Sequence, residues 1–345
     1  MPRVRRRYVS QESGLYHIIS RVVGKQWLLG DIEKEYFFKL LKKFSGGFYI
    51  RVHAFCIMSN HFHILATCMD NESRFASIKE LQDRYKLMYP NSPGYPEGSY
   101  DGNGELIEGG DDDGGIDRLR NRLGSVSCFM QELKQSFSRW YNKKHDRKGC
   151  FWSERFKSPI VSFDEAQLIC SAYIDLNPVR AGIVEKPEDY RWNSLGLRVR
   201  SKREAAELLY PLNLYRTADG EINQTPNSRY TKKGHSLLIG DEKTVHDFPL
   251  YREFVYRTGA VSREGSAIIS AEHLAEVEAY HGKLGVSDRL RYRVKNISEG
   301  IAFGSYELIE SLQDLLKRKR IRPRSFMAEG KGDKTWSYST RVLRP

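Results

Sequence analysis

Two histidines, His61 and His63, stand one residue apart in the run HFHILATCM, residues 61–69. Side chains alternate along a strand, so both imidazoles share one face, with Cα atoms about 6.5 to 7 Å apart, and Phe62 turns the other way. The two rings can converge on one divalent ion; the plainer alternative is a solvated strand face. Tyr173 and Asn177 are spaced i and i+4, which sets a phenol beside an amide on one face of a helix. The alternative there is a buried core tyrosine. The surrounding text, YIDLNPVRAGIV (173–184), ends the helix in Asn-Pro and then presents Arg180 on a turn with Gly182. His53, on the strand before the pair, is read with His17 and His145 as structural.

The elements that must position these residues follow from periodicity. Residues 14–23, GLYHIISRVV, have strand composition. Ile32, Tyr36, Phe37, Leu40, Leu41 and Phe44 form one apolar stripe, predicting a helix from about Asp31 to Phe44 with Gly30 and Asp31 at its entry. Residues 48–58 and 61–69 read as two strands joined at Ser59 and Asn60, a hairpin. Val126, Phe129, Met130, Leu133, Phe137, Trp140 and Tyr141 predict an amphipathic helix over 124–143. A last extended piece is expected from Cys150 to Val161. The resulting order, β-α-β-β-α-β, is the ferredoxin-like arrangement and places the chain in the α+β class. One further helix is signalled by Ser162 and Glu165 as a capping box, and it must stop at Asn177 before Pro178. Beyond about Gly196 the chain becomes more polar and helix-leaning, with a helix expected at Tyr306 to Lys319 and no internal repeat.

At 345 residues the chain exceeds one average domain, so a core domain with an appendage is expected. A net charge of +12 argues for a polyanionic partner. The charge is uneven: Glu97 to Asp117 holds eight acidic residues, seven glycines and no base, which leaves the rest of the chain at +20. So little apolar content cannot offset the entropy of ordering, and residues 90–118 or so read as a mobile insertion. Its spacing does not fit a calcium-binding loop. Arg3, Arg5, Arg6 and Arg7 form a basic arm, and Lys317 to Arg324 a second basic cluster. No apolar run reaches the length of a membrane span, and no apolar signal segment follows the basic amino terminus. Five scattered cysteines, an odd number, read as reduced, buried thiols. A cytoplasmic protein is expected.

Three ordered blocks, AFCIMSNHFHIL (54–65), GCFWSERF (149–156) and YIDLNPVRAGIV (173–184), resemble the REP-associated tyrosine transposases among the HUH endonucleases. The resemblance spans roughly residues 10 to 196, setting a catalytic domain at 1–196 and an accessory region at 197–345. It implies that His61 and His63 hold a divalent metal, Mg²⁺ or Mn²⁺, that Asn177 completes the metal site, and that Tyr173 on the added helix is the nucleophile. Two departures stand out. Ser59 occupies a turn position where relatives usually carry proline, and the acidic insertion replaces a short link.

The implied chemistry is coherent. A phenol with a pKa near about 10 is a weak nucleophile at neutral pH and needs a polarised electrophile or a local base. Attack on phosphorus would give a 5′-phosphotyrosine and a free 3′-hydroxyl, and reversal by another 3′-hydroxyl would rejoin strands. The expected substrate is single-stranded DNA with a nearby hairpin. Arg155, Lys157, Arg180 and the arm Arg3, Arg5, Arg6 and Arg7 are candidate phosphate contacts; Trp152, Phe156 and Trp192 are candidate base-stacking residues. The carboxy-terminal run around residues 300–324 reads as a glycine turn and a basic helix able to grip a hairpin stem. A catalytically silent binder of hairpin or single-stranded nucleic acid is the competing reading. An RNA-binding ferredoxin-like module is disfavoured, because its aromatic signature is absent. Monomer and dimer both stay open.

Overall fold

The computed structural model describes residues 14–92, 113–212, 214–217, 221–224, 248–261, 265–269, 302–304, 321–325 and 338–342. The arm Arg3 to Arg7, residues 93–112 of the acidic segment and the helix expected at Tyr306 to Lys319 lie outside them. In chain order the elements are β1 (Gly14–Arg21), α1 (Asp31–Gly47), β2 (Ile50–Ile57), β3 (His61–Cys68), α2 (Asp70–Phe75), α3 (Ile78–Met88), α4 (Asp113–Leu123) and α5 (Val126–Lys144). They continue with β4 (Ile160–Val161), α6 (Glu165–Asp175), α7 (Asn177–Arg180), α8 (Ser194–Arg200), α9 (Lys202–Leu208), β5 (Leu214–Arg216), β6 (Ile222–Gln224), α10 (Phe248–Ala260), β7 (Ala302–Gly304), β8 (Ile321–Ser325) and β9 (Tyr338–Val342). Among the described residues no helix is long and apolar enough to cross a membrane.

The elements group into two compact units. The first takes in residues 30–51 and 67–152. Its α1 and α5 pack through the stripes that periodicity picks out: Phe37 meets Phe137 edge to face at 5.5 Å, and Tyr36 stacks on Trp140 at 3.9 Å. Residues 113–118 of the expected loop are helix instead, the first part of α4. There α4 docks on α2, with Ser73 Oγ donating to the carbonyl of Arg120 and Arg120 Nη2 donating to the carbonyl of Ala76. Ile116, Leu119 and Leu123 recur at helical spacing and are buried, which supplies the apolar face that the Gly/Asp composition masks.

The second unit takes in residues 15–29, 52–66 and the chain from Ser153 onward. It is a mixed α/β domain whose strands β2-β3-β1-β4 lie side by side, consistent with the ferredoxin-like arrangement. β4 runs antiparallel to β1, with Leu15 opposite Val161 and Tyr16 opposite Ile160. Only Ile160 and Val161 form the strand expected from Cys150 onward. The preceding stretch adds one bridge to β1, Lys157 opposite Ile19, and the His17 N–H donates to the Pro159 carbonyl, but Pro159 has no N–H to return that bond and the ladder breaks there.

Among its described residues the carboxy-terminal region adds short strands to the helices α9 and α10. Ala302–Gly304 pairs in parallel with β4, β9 pairs antiparallel to β7, and β8 pairs antiparallel to β9. Arg322 and Arg324, expected to follow a basic helix, therefore sit on a strand. Pro323 between them cannot serve in a helix interior. The core of this unit joins Leu15, Ala54, Leu65 and Val161 of the sheet to Leu168, Ile169, Ala172 and Ile174 of α6 and to Tyr251, Phe254 and Val255 of α10.

Two local expectations also change. Asp164, not Ser162, caps α6: its carboxylate accepts from the Ala166 N–H at 2.8 Å, while Ser162 Oγ donates to the same carboxylate. A carboxylate next to the first turn is the stronger acceptor and favours the positive helix end. The helix also does not stop abruptly, because α7 follows at once with Pro178 in its first turn, where no N–H is required. Of the cysteines, Cys56, Cys68 and Cys170 are buried and Cys128 is partly covered, but Cys150 is exposed.

Candidate functional site

His61 and His63 emerge on one face of β3, as alternation requires, with ring centroids 5.0 Å apart. β1 lies next to β3 in the sheet and contributes a third imidazole. His17 Nε2 is 3.0 Å from His63 Nδ1, and the rings stack at 5.1 Å with planes 23° apart. His17, read from sequence as structural, is fully buried against His63. The missed signal is the period of β1: His17, Ile19 and Arg21 share one face, and Ile19 and Arg21 line the same pocket as the histidine pair.

The hydrogen bonds set which ring nitrogens remain for a ligand. Asn60 Nδ2 donates to the Lys25 carbonyl, which turns Asn60 Oδ1 toward His61 Nδ1 at 2.6 Å. An amide oxygen can only accept, so the His61 proton belongs on Nδ1 and Nε2 keeps its lone pair. His63 Nδ1 is likewise engaged, by His17. Burial, with the positive charge of Arg21, lowers the His61 pKa to about 4. Burial, then the charges of His61, His17 and Arg21, holds His63 well below the ordinary imidazole value. Both rings are therefore neutral at physiological pH, the state in which imidazole binds a metal.

Tyr173 comes to this face on α6. Its ring meets those of His63 and His17 edge to face at 5.7 and 5.8 Å. Only 8% of Tyr173 is exposed, and it belongs to the core cluster while also lining the pocket. One turn on, Asn177 Nδ2 donates to the carbonyls of Tyr173 and Ile174 at 2.8 and 3.2 Å, so its Oδ1 is the side-chain atom that could meet a ligand. The helix is anchored from behind by Asp175, which has no exposed surface. Its carboxylate accepts from Ser194 Oγ (2.6 Å), the Leu195 N–H (3.0 Å) and Tyr251 Oη (2.6 Å). Burial raises the Asp175 pKa even though these donors favour the anion.

His61, His63, Tyr173 and Asn177 thus line one cavity of about 330 Å³ with Arg21, Arg155, Lys157 and Glu154. Arg180, at the end of α7, is not among the lining residues. His53 lies elsewhere, buried and edge-on to Tyr210. The aromatic candidates for base stacking make packing contacts, with Trp152 and Trp192 keeping part of their surface exposed. Trp152 donates from Nε1 to the Lys134 carbonyl and meets Phe137 and Phe151, Phe156 is buried, and Trp192 packs beside Tyr190.

Among the described residues no group of three or more His, Cys, Asp or Glu side chains is disposed to hold a metal ion. The residues of this pocket that could hold one are of another kind, the His61 and His63 imidazoles and the Asn177 amide oxygen. His61 Nε2 and Asn177 Oδ1 carry no hydrogen to displace, and His63 Nε2 carries none when the proton shared with His17 sits on His63 Nδ1. Such mixed nitrogen and oxygen donors suit Mn²⁺ better than the more oxygen-selective Mg²⁺.

No family model matches the chain, and no curated protein is significantly similar to it. Among solved structures, that of a REP-associated tyrosine transposase bound to a REP hairpin aligns over 61% of this chain and 89% of its own at 17% identity, with a TM-score of 0.36.

Proposed function

We propose that the chain is a metal-dependent tyrosine transposase or endonuclease that nicks and rejoins single-stranded DNA near hairpins through a 5′-phosphotyrosine. The observation that carries this reading is the Tyr173 ring set edge-on to His63 at 5.7 Å in a pocket shared with Asn177, Arg21, Arg155 and Lys157. The 17-to-63 histidine contact orients His63, and Asn60 orients His61. A divalent ion held by His61, His63 and Asn177 would supply Lewis-acid polarisation of the phosphate. Arg21, Arg155 and Lys157 neutralise phosphate oxygens and hold a flexible strand across the pocket. Tyr173 Oη forms the new bond to phosphorus while the bond to the 3′ oxygen breaks. Oη loses one proton and the departing oxygen gains one, so the exchange is balanced and conserves the phosphodiester energy. The ferredoxin-like sheet acts as the rigid platform, and α6 as the nucleophile helix.

The low exposure of Tyr173 favours a second reading, a catalytically silent binder of hairpin or single-stranded nucleic acid. A cleavage assay on a hairpin oligodeoxynucleotide with Mn²⁺ separates the two. The transposase reading expects a denaturant-stable protein–DNA adduct with the native chain and none with Tyr173→Phe, DNA binding being retained. Binding without any adduct in either protein supports the silent binder.

A further inference from the structure

Trp27 is the second largest exposure among the large apolar side chains described, at 76%, and the loop that carries it is built against the candidate site. After β1 the chain makes a single 3-10 turn, Val23–Lys25, in which Gly24 (φ 62°) and Lys25 (φ 55°) are both left-handed. That conformation is costly for lysine and persists only where surrounding contacts hold it. The contacts are present. The Val22 N–H donates to the Asn60 carbonyl and the Leu29 N–H to the Ser59 carbonyl, each at 2.9 Å, while Asn60 Nδ2 donates to the Lys25 carbonyl. Both ends of the loop are thus stitched to the Ser59–Asn60 turn, and Asn60 in turn holds His61 at 2.6 Å. Val22 and Leu29 are buried and pin the loop at its base, whereas Arg21, Lys25 and Trp27 are exposed.

A large aromatic ring left in water forgoes the gain of burying its apolar surface, so a strained, pinned loop that displays one calls for an occupant. The flanking cations select its chemistry. Arg21 lines the pocket and Lys25 lies on the same loop as Trp27, so the segment that displays the indole also offers two exposed positive charges to an anionic chain leaving the pocket. An unpaired nucleotide meets both demands, a flat face to stack and a phosphate to neutralise. We infer that Trp27 is a stacking platform for an unpaired base of the DNA strand that enters the His61–Tyr173 pocket. This inference rests on the proposed function and adds the recognition of single-stranded character at a named residue.

The test uses the full chain and two oligodeoxynucleotide hairpins, one with a single-stranded extension and one blunt. Trp27→Ala is expected to weaken binding of the extended hairpin roughly tenfold, with the blunt hairpin unchanged, and Trp27→Phe to retain most of the affinity. The chain has five tryptophans, so the fluorescence quenched on binding the extended hairpin should be smaller in Trp27→Phe than in the native protein. Because the side chain is exposed, the melting temperature of Trp27→Ala should match that of the native chain. Equal affinity of Trp27→Ala and native protein for the extended hairpin overturns the inference. So does a change in self-association, read by light scattering, with DNA affinity unaltered, which would make this face a contact between copies. Adduct formation by the native chain is scored separately: adduct present with no Trp27 effect sinks the platform alone, whereas no adduct and no DNA binding sinks the function and the platform with it.

Discussion

His17 Nε2 sits 3.0 Å from His63 Nδ1 across neighbouring strands, with the two rings stacked. One of these nitrogens must carry the proton. If it is His63 Nδ1, His63 Nε2 is left as a lone pair; if it is His17 Nε2, His63 keeps its proton on Nε2 and cannot bind a cation there. Removing the partner should therefore act through His63. His17→Ala is expected to weaken Mn²⁺ binding by about 10- to 100-fold, and His17→Gln, which retains an acceptor oxygen, to recover part of it. Titration calorimetry on the folded variants checks this; Mn²⁺ affinity untouched by His17→Ala would reduce the contact to packing.

The depressed imidazoles make a prediction about acid. His61 has a pKa of about 4 in the folded chain against an ordinary value of 6.5, so between these values the unfolded chain binds more protons. Stability is thus complete above about pH 6.5 and declines as the pH falls toward about 4. His63 acts in the same direction. Thermal melts of chelator-treated protein should show this slope, and a His61→Gln, His63→Gln variant should flatten it. An unchanged slope in the double variant would remove these rings from the linkage.

Asp175 fixes the helix that carries Tyr173. Asp175→Ala leaves the Ser194 hydroxyl, the Leu195 N–H and the Tyr251 hydroxyl buried without their acceptor, a loss expected to cost about 2 to 5 kcal/mol by denaturant unfolding. Asp175→Asn keeps one acceptor oxygen and should cost less than half as much. Equal losses would show that the acceptor geometry matters little.

Gly196 is fixed by close approach. A Cβ there would lie 2.1 Å from the Tyr190 carbonyl oxygen and 2.8 Å from Asn193 Oδ1. The first of these is backbone and cannot swing aside. Asn193 Oδ1 also accepts from the Gly196 N–H at 2.7 Å and caps α8. Gly196→Ala should destabilise the protein by about 2 kcal/mol or more, seen as a lowered melting temperature. A neutral effect would mean that the turn at Tyr190 gives way.

Much of this site was legible because two short periods specify it. Alternation along β3 puts His61 and His63 on one face, and the four-residue step on α6 and α7 puts Asn177 one turn beyond Tyr173. What sequence alone did not supply was adjacency between strands. His17 looks like any histidine in a strand until β1 is set beside β3. Trp152 and Trp192 look as available to a base as Trp27, and only packing separates the two that are partly covered from the one in water. The short β4 was overestimated because aromatic composition suggests a strand, while pairing requires N–H groups that Pro159 lacks. Helix α4 was hidden for the opposite reason: its acidic and glycine-rich entry outweighed the apolar Ile116, Leu119 and Leu123 behind it.

The two-residue strand β4 has a bearing on synthesis. Its outer partner, Ala302–Gly304, leaves the ribosome about 140 residues after Val161. At typical elongation rates that is a wait of roughly ten seconds, during which the Ile160–Val161 edge offers open backbone groups to any passing extended chain. A fragment cut before residue 302 would make that exposure permanent. Nascent or truncated forms should therefore depend on a chaperone or clump through this border, even where the His61–Tyr173 pocket itself is complete.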